Sequence, residues 1–225
     1  MIPQLIIGFT VEGSTDYRFF ESIIQRTFEN IAFECDGQIE ILPIQFVEKE
    51  PGNFEDSIFE CAKKASMNGI MVLCIHTDAD NKTDNHVFKN KINPAFTKIS
   101  LYPGIDVCKN LVPVVPVQMT ESWMLADFEL IKSELNTKKT DKELGLDKQP
   151  ESYSDPKKVF KEVIRLSFEN YPQRRKRPDI SEFYQLLGQK IALDKLEKIP
   201  SFLKFRDNVR TAFVELKLLN PSKSK

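Results

Sequence analysis

Leu5-Ile6-Ile7-Gly8-Phe9-Thr10, running into Val11-Glu12-Gly13, is the stretch whose reading decides the fold. The apolar run is Ile-rich and too short for a long helix, so it reads as a buried strand over residues 4–11 that ends in a carboxylate. A second run, Ile70-Met71-Val72-Leu73-Cys74-Ile75, ends the same way in Asp78-Ala79-Asp80. In an open parallel sheet, ligands bind at the carboxyl ends of the strands. Three carboxylates at two such ends therefore point to magnesium, which takes a few carboxylate oxygens plus water and phosphate oxygens.

The segments around these runs support that sheet. Phe20, Ile23, Ile24 and Phe28 form one apolar stripe of a helix over 15–30, with Ser14 as candidate N-cap and Asp16 suited to the positive helix end. A broken alternation through Ile39, Ile41, Ile44, Phe46 and Val47 predicts a strand over 39–47. Asn53 can cap a helix striped by Phe54, Ile58, Phe59, Ala62 and Ala65, and Asn68-Gly69 ends it. The third strand is 70–76. This β-α-β-α-β order predicts an α/β fold with a mostly parallel four-stranded sheet flanked by helices. The fourth strand is 111–117, where Pro113 and Pro116 argue for an edge position or for strand ends that lack donors. A helical stretch precedes it at 87–100, and another opens near Thr120, a candidate N-cap.

Past residue 130 the character changes. Residues 131–154 read as a polar linker or insert, and 155–225 as a helical C-terminal extension packed on a 1–130 core. Asp155-Pro156 is a helix start signal. A helical pattern over 180–196 is interrupted at Gly188, and a last helix runs from about Ser201 to Asn220.

Composition bounds the function. The 225 residues carry 32 basic and 33 acidic side chains, so no global polycation exists and any nucleic-acid contact needs a local patch. Arg174-Arg175-Lys176-Arg177 is the strongest such patch. It reads equally as a solvated loop or as a phosphate clamp, with Tyr171 beside it to stack on a base. Cys35, Cys61, Cys74 and Cys108 show no C-x-x-C pairing, so buried free thiols and a reducing, cytoplasmic compartment are expected. The opening Met-Ile-Pro-Gln lacks the basic n-region of a signal peptide, and no apolar run approaches the roughly 20 residues of a membrane span.

Each acidic residue has a plainer reading. Glu12 can cap the first helix or pair with Arg18, and Asp78 and Asp80 sit in turn-forming sequence with Asp84. His76 and His86 do not make a convincing metal pair, while Trp123 and Asp127 read as packing and capping residues. The D-x-D partner tips Glu12 toward a site.

The order of V-E-G after a first strand and D-x-D after a later one resembles the Toprim fold of type IA and II topoisomerases, bacterial primases and OLD-family nucleases. The nearer likeness is to a Toprim-related family of small bacterial proteins linked to phage defence. There V-E-G and a helix are followed by a D-x-D strand end and an E-x-W-x-x-A-D segment. The matching residues are Val11-Glu12-Gly13, Asp78-Ala79-Asp80 and Glu121-Ser122-Trp123-Met124-Leu125-Ala126-Asp127. The likeness spans residues 1–130 and extends loosely to Leu196, Pro200, Phe202 and Phe205.

That resemblance implies a metal-dependent nuclease hydrolysing DNA or RNA with Mg2+ or Mn2+, as effector of a bacterial anti-phage defence system. Glu12 matches the general acid/base, Asp78 and Asp80 match the metal ligands, and Glu121 matches a further acidic position for a second metal or a water. No residue matches the topoisomerase tyrosine, the primase zinc module or the OLD-type lysine. No G-x-x-x-x-G-K-[ST] occurs, so the implied ATPase is a separate ABC/OLD-type chain. A homodimer is a further expectation. The alternatives are a non-catalytic module that binds a partner ATPase, and phosphatase or nucleotidyl-transfer activity on small phosphates.

Overall fold

A computed structural model describes residues 2–169 and 177–220. The first apolar run forms β1 (Gln4–Leu5) and β2 (Ile7–Thr10), one strand interrupted at Ile6. Helix α1 (Ser14–Ala32) follows, and the predicted stripe Phe20, Ile23, Ile24 and Phe28 is buried. Gly13, not Ser14, is its N-cap, so no side chain closes its first turn. The broken alternation yields two short strands, β3 (Glu40–Ile41) and β4 (Gln45–Phe46). Asn53 caps α2 (Phe54–Met67) by accepting from the Asp56 amide at 2.9 Å. Gly69, at φ +71°, supplies the left-handed turn into β5 (Val72–His76). The next helical stretch is composite: α3 (Asn85–Val87), a π-helical turn (Phe88–Ile92), then α4 (Asn93–Leu101), before β6 (Leu111–Val114).

The main sheet has four parallel strands in the order β4-β2-β5-β6, and β1 pairs with β3 in parallel beside it. The proline-bearing β6 is an edge strand, since a residue without an N–H cannot serve a neighbour on both sides. Strand periodicity assigns the two faces. Ile7, Phe9, Val72, Cys74 and Val112 pack toward α1, whereas Leu73 and Ile75 pack toward α2 and α4.

The C-terminal half joins the α1 face. Short helices α5 (Thr120–Met124), α6 (Phe128–Glu134) and α7 (Asp141–Leu144) lead to α8 (Pro156–Ser167), α9 (Phe183–Lys190), α10 (Leu193–Leu196) and α11 (Pro200–Glu215). Residues 131–154, read from their polarity as a linker or insert, are a packed part of the molecule and not a free linker. They hold α7 with a reciprocal Thr140/Glu143 capping box, and they bury Ile131, Leu135, Leu144, Leu146 and Tyr153 in the same core as β2 and α1. Sparse apolar residues, spaced to meet one surface, were enough to dock the segment. Gly188 likewise does not interrupt α9; the break comes at Ile191–Ala192. A Cβ at Gly188 would stand 2.5 Å from the Phe19 carbonyl oxygen, so the glycine lets α9 lie directly against α1. Arg26 of α1 secures this contact, donating to the carbonyls of Gly188 (2.9 Å) and Ile191 (2.6 Å). Among the described residues, no helix is long and apolar enough to cross a membrane.

Candidate functional site

In chain order the four-stranded sheet runs second, first, third, fourth, so its direction of growth reverses between β2 and β5. Crevices beyond the carboxyl ends of strands at such a reversal are where open α/β sheets hold ligands. Glu12 and Asp78 follow these two strands. The register pairs Thr10 with Ile75, which sets Glu12 opposite Thr77 two residues on. The Thr77 hydroxyl accordingly donates to Glu12 Oε1 at 2.7 Å.

Two lysines complete this side. Lys91 Nζ lies 3.9 Å from Glu12 Oε1 and 3.4 Å from Thr77 Oγ1. It is carried by the π-helical turn, a local widening that often re-aims a side chain at functional sites. Lys49, beyond β4, donates to the His76 carbonyl at 3.1 Å. Burial pushes the Lys49 ammonium below its ordinary value, against the pull of the Glu12 charge. Both ammoniums sit over the Phe54 ring, at 5.5 and 5.9 Å.

Asp78 is held from the β6 side. Beyond the strands the two chains stay paired, Ala79 N to Pro116 O at 3.0 Å and Asp80 N to Gln118 O at 2.8 Å. This pairing brings the start of α5 to Asp78, whose Oδ1 accepts from the Thr120 amide at 2.9 Å. The buried His76 sets Nε2 3.2 Å from the same oxygen, while its Nδ1 has no hydrogen-bond partner among the described residues. Thr120, predicted as a helix cap, instead donates its hydroxyl to Asp16 Oδ1 at 2.9 Å. Asp80 and Gln118 adopt left-handed backbone, φ 49° and 63°, which costs free energy in a non-glycine residue and recurs at functional sites.

Electrostatics ties the carboxylates together. Asp80 is raised above the ordinary carboxylate value by burial, then by the charges of Asp78 and Glu12, with Lys91 opposing. Asp16 is raised by burial and by Asp78 and Glu121, with His76 and the Thr120 hydroxyl opposing. Glu12 and Asp78 thus stand near enough to Asp80 for their charges to act on it, and Asp16, which sequence reasoning treated only as a helix-end residue, meets Asp78 through the Thr120 hydroxyl, 2.9 Å from Asp16 Oδ1 and 3.2 Å from Asp78 Oδ1.

Glu121 points elsewhere. It is 3% exposed, and its Oε1 accepts from the Tyr184 hydroxyl of α9 and lies 3.1 Å from Lys157 Nζ of α8. No hydrogen bond or ion pair among the described residues joins it to Glu12, Asp78 or Asp80. Its neighbour Trp123 is fully buried and donates to Ser201 Oγ at 2.7 Å, and Asp127 caps α6. Of the basic cluster, Arg174, Arg175 and Lys176, with Tyr171, lie outside the described residues; Arg177 is exposed. Thr77, Thr120, Lys49 and Lys91 were missed because their roles depend on strand register and helix geometry. The only sequence signal was that Thr77 abuts D-x-D and Thr120 abuts the E-x-W segment.

No three His, Cys, Asp or Glu side chains among the described residues form a group that could hold a metal ion by themselves. The donor chemistry nonetheless suits magnesium, which commonly takes one or two carboxylates and completes its shell with water and phosphate oxygens. Burial is the larger cause that raises Asp80, and the repulsion from Asp78 and Glu12 that adds to it is what a divalent cation would relieve.

A family described as "Domain of unknown function (DUF4276)" matches residues 11–210. No curated protein and no solved structure matches the chain.

Proposed function

This chain belongs to the DUF4276 family, and we propose that it is a metal-dependent phosphodiesterase acting on DNA or RNA, with its site at the ends of β2 and β5. The observation that carries the proposal is the Glu12, Asp78 and Asp80 cluster at the sheet's reversal point, close enough that two of the charges raise the third. Asp78, immobilised by the Thr120 amide, and Asp80 are the residues to hold Mg2+ or Mn2+. A bound cation would polarise a phosphoryl oxygen and lower the pKa of an attacking water.

The chain's own residues do the rest. Thr77 occupies Glu12 Oε1, and no hydrogen bond among the described residues engages Oε2, which is left to accept a proton from water. Water adds to phosphorus, its proton passes to Glu12, and the P–O ester bond breaks to an alkoxide that solvent protonates. Lys91 and Lys49 supply positive charge to the non-bridging oxygens. Glu121, tied to Tyr184 and Lys157, serves as a buried brace between α5 and the C-terminal helices. The expected role as a defence effector beside a separate ATPase belongs to this proposal and rests on the three motifs alone.

The test is calorimetric titration of Mg2+ and Mn2+ into wild type and an Asp78→Ala/Asp80→Ala double variant, followed by nucleic-acid cleavage in the same buffers. Binding lost in the double variant, with cleavage lost in Glu12→Ala by about 100-fold or more, supports the proposal. Wild-type-like cleavage by either protein would sink it. A second reading, a non-catalytic interaction module, has one observation in its favour: Glu12 and Asp78 already have donors within the chain. Metal titrations indistinguishable between the two proteins would move the assignment there.

A further inference from the structure

Next to Glu12 a cavity of about 730 Å³ opens on the β4 side of the sheet, a size suited to a small ligand. Its walls include Glu12, Tyr17, Arg18, Phe46, Lys49 and Gln185. Phe46 is the unusual member. It is 45% exposed, although β4 carries it beside the fully buried Phe9. The Phe46 ring meets Tyr17 edge-on with centroids 5.2 Å apart and meets Phe9 at 5.6 Å, and Phe9 stacks on Tyr17 at 5.5 Å. The Tyr17 hydroxyl donates to Glu21 at 2.9 Å, which holds that ring in place. A rigid aromatic cluster, anchored in the core through Phe9, therefore presents an uncovered ring to a cavity whose wall carries the Arg18 guanidinium, the Lys49 ammonium, the Gln185 amide and the carboxylates of Glu12, Glu21 and Glu48, with Glu21 engaged by the Tyr17 hydroxyl.

We propose that this cavity is a nucleotide subsite, in which one base of a single-stranded nucleic acid stacks on Phe46 while its backbone passes Lys49 and Arg18 toward Glu12. The inference rests on the phosphodiesterase reading and specifies its substrate class. Base–aromatic stacking accepts any base, because each offers a π-face. The cations suit the adjoining phosphates and the Gln185 amide suits a base edge. Since Glu12 belongs both to this wall and to the carboxylate cluster, a base seated here brings a neighbouring phosphodiester to the cluster. A base paired within a duplex is already stacked and cannot enter without being extruded, so the subsite selects unpaired strands.

The experiment is fluorescence anisotropy with short labelled poly(dT) and poly(U) strands, a duplex, and an abasic strand of equal length, all in EDTA so that no hydrolysis is required. Wild type is expected to bind the single strands more tightly than the duplex or the abasic strand. Phe46→Leu, which keeps an apolar side chain but has no π-face, should weaken single-strand binding about 10-fold. Phe46→Trp should retain it, with melting temperatures confirming that both variants fold. Equal binding of abasic and normal strands, wild-type affinity in Phe46→Leu, or no strand binding by wild type would each overturn the subsite. Strand binding through Phe46 without cleavage in Mg2+ would uphold the subsite and refute hydrolysis. Cleavage that ignores Phe46 would do the reverse.

Discussion

At the scale of single residues, the site is organised by hydroxyls as much as by carboxylates. Thr77 and Thr120 each hand a hydrogen bond to an acidic side chain of another element, and Tyr184 does the same for Glu121. Burial and the Glu121 charge hold the Tyr184 hydroxyl far above its ordinary value, so it remains a donor at neutral pH. Tyr184→Phe removes that donor from a buried carboxylate and should cost about 1.5–3 kcal/mol in urea denaturation; an unchanged midpoint would show that Lys157 suffices. Asp16 makes the pH-dependent prediction. Its folded-state pKa is raised above the ordinary 3.8, so the folded chain holds that proton more tightly than the unfolded chain. The resulting stability is complete below 3.8 and is lost as pH rises through the folded value. Asp16→Asn should therefore show a shallower fall of stability with rising pH just above 3.8, and parallel curves for the two proteins would refute the assignment.

At the scale of elements, two contacts decide where the side chains stand. The first is α1 against α9, where Gly188 meets the Phe19 carbonyl. Gly188→Ala favours an isolated helix by propensity, yet here it forces backbone apart and should destabilise by about 1–3 kcal/mol. A melting temperature at or above wild type would show that the helices can separate freely. The second is the π-helical turn, which sends Lys91 toward Glu12 instead of along the helix surface. Lys91→Gln removes the charge while keeping most of the side chain, so it should weaken strand binding at low salt and flatten its salt dependence. An unaltered salt slope would mean that Lys91 does not meet phosphate.

At the scale of the molecule, helices from the far end of the sequence cover the sheet face from which α1 presents Asp16. Trp123, Phe202 and Phe205 pack together there, and the Ser201 hydroxyl joins α11 to α5 by accepting from the Trp123 indole. Metal binding and global stability should therefore be coupled. A cation that binds the folded chain alone, at about 100 times its Kd, adds about 2.7 kcal/mol. Magnesium should raise the melting temperature of wild type and leave Asp78→Ala/Asp80→Ala unchanged, and EDTA should reverse the gain. Equal shifts in both proteins would assign the effect to ions bound elsewhere.

The sequence by itself determined the elements that local patterning controls. Short apolar runs broken by Gly and Pro specified parallel strands, the stripe of α1 specified its buried face, and Asn53 and Asp155 specified two caps, because each depends on residues near in sequence. It also put Glu12, Asp78 and Asp80 at strand ends. Polarity misled over 131–154, where a few well-spaced apolar side chains outweigh many solvated ones, and Gly188 read as an interruption because nothing local shows what lies against it. Tertiary structure alone decided that β2 and β5 are neighbours, that their register faces Thr77 with Glu12, and that Glu121 turns toward Tyr184 and Lys157 while Asp16 turns toward Thr120. Those outcomes depend on pairing and packing between segments tens of residues apart, which no local pattern encodes.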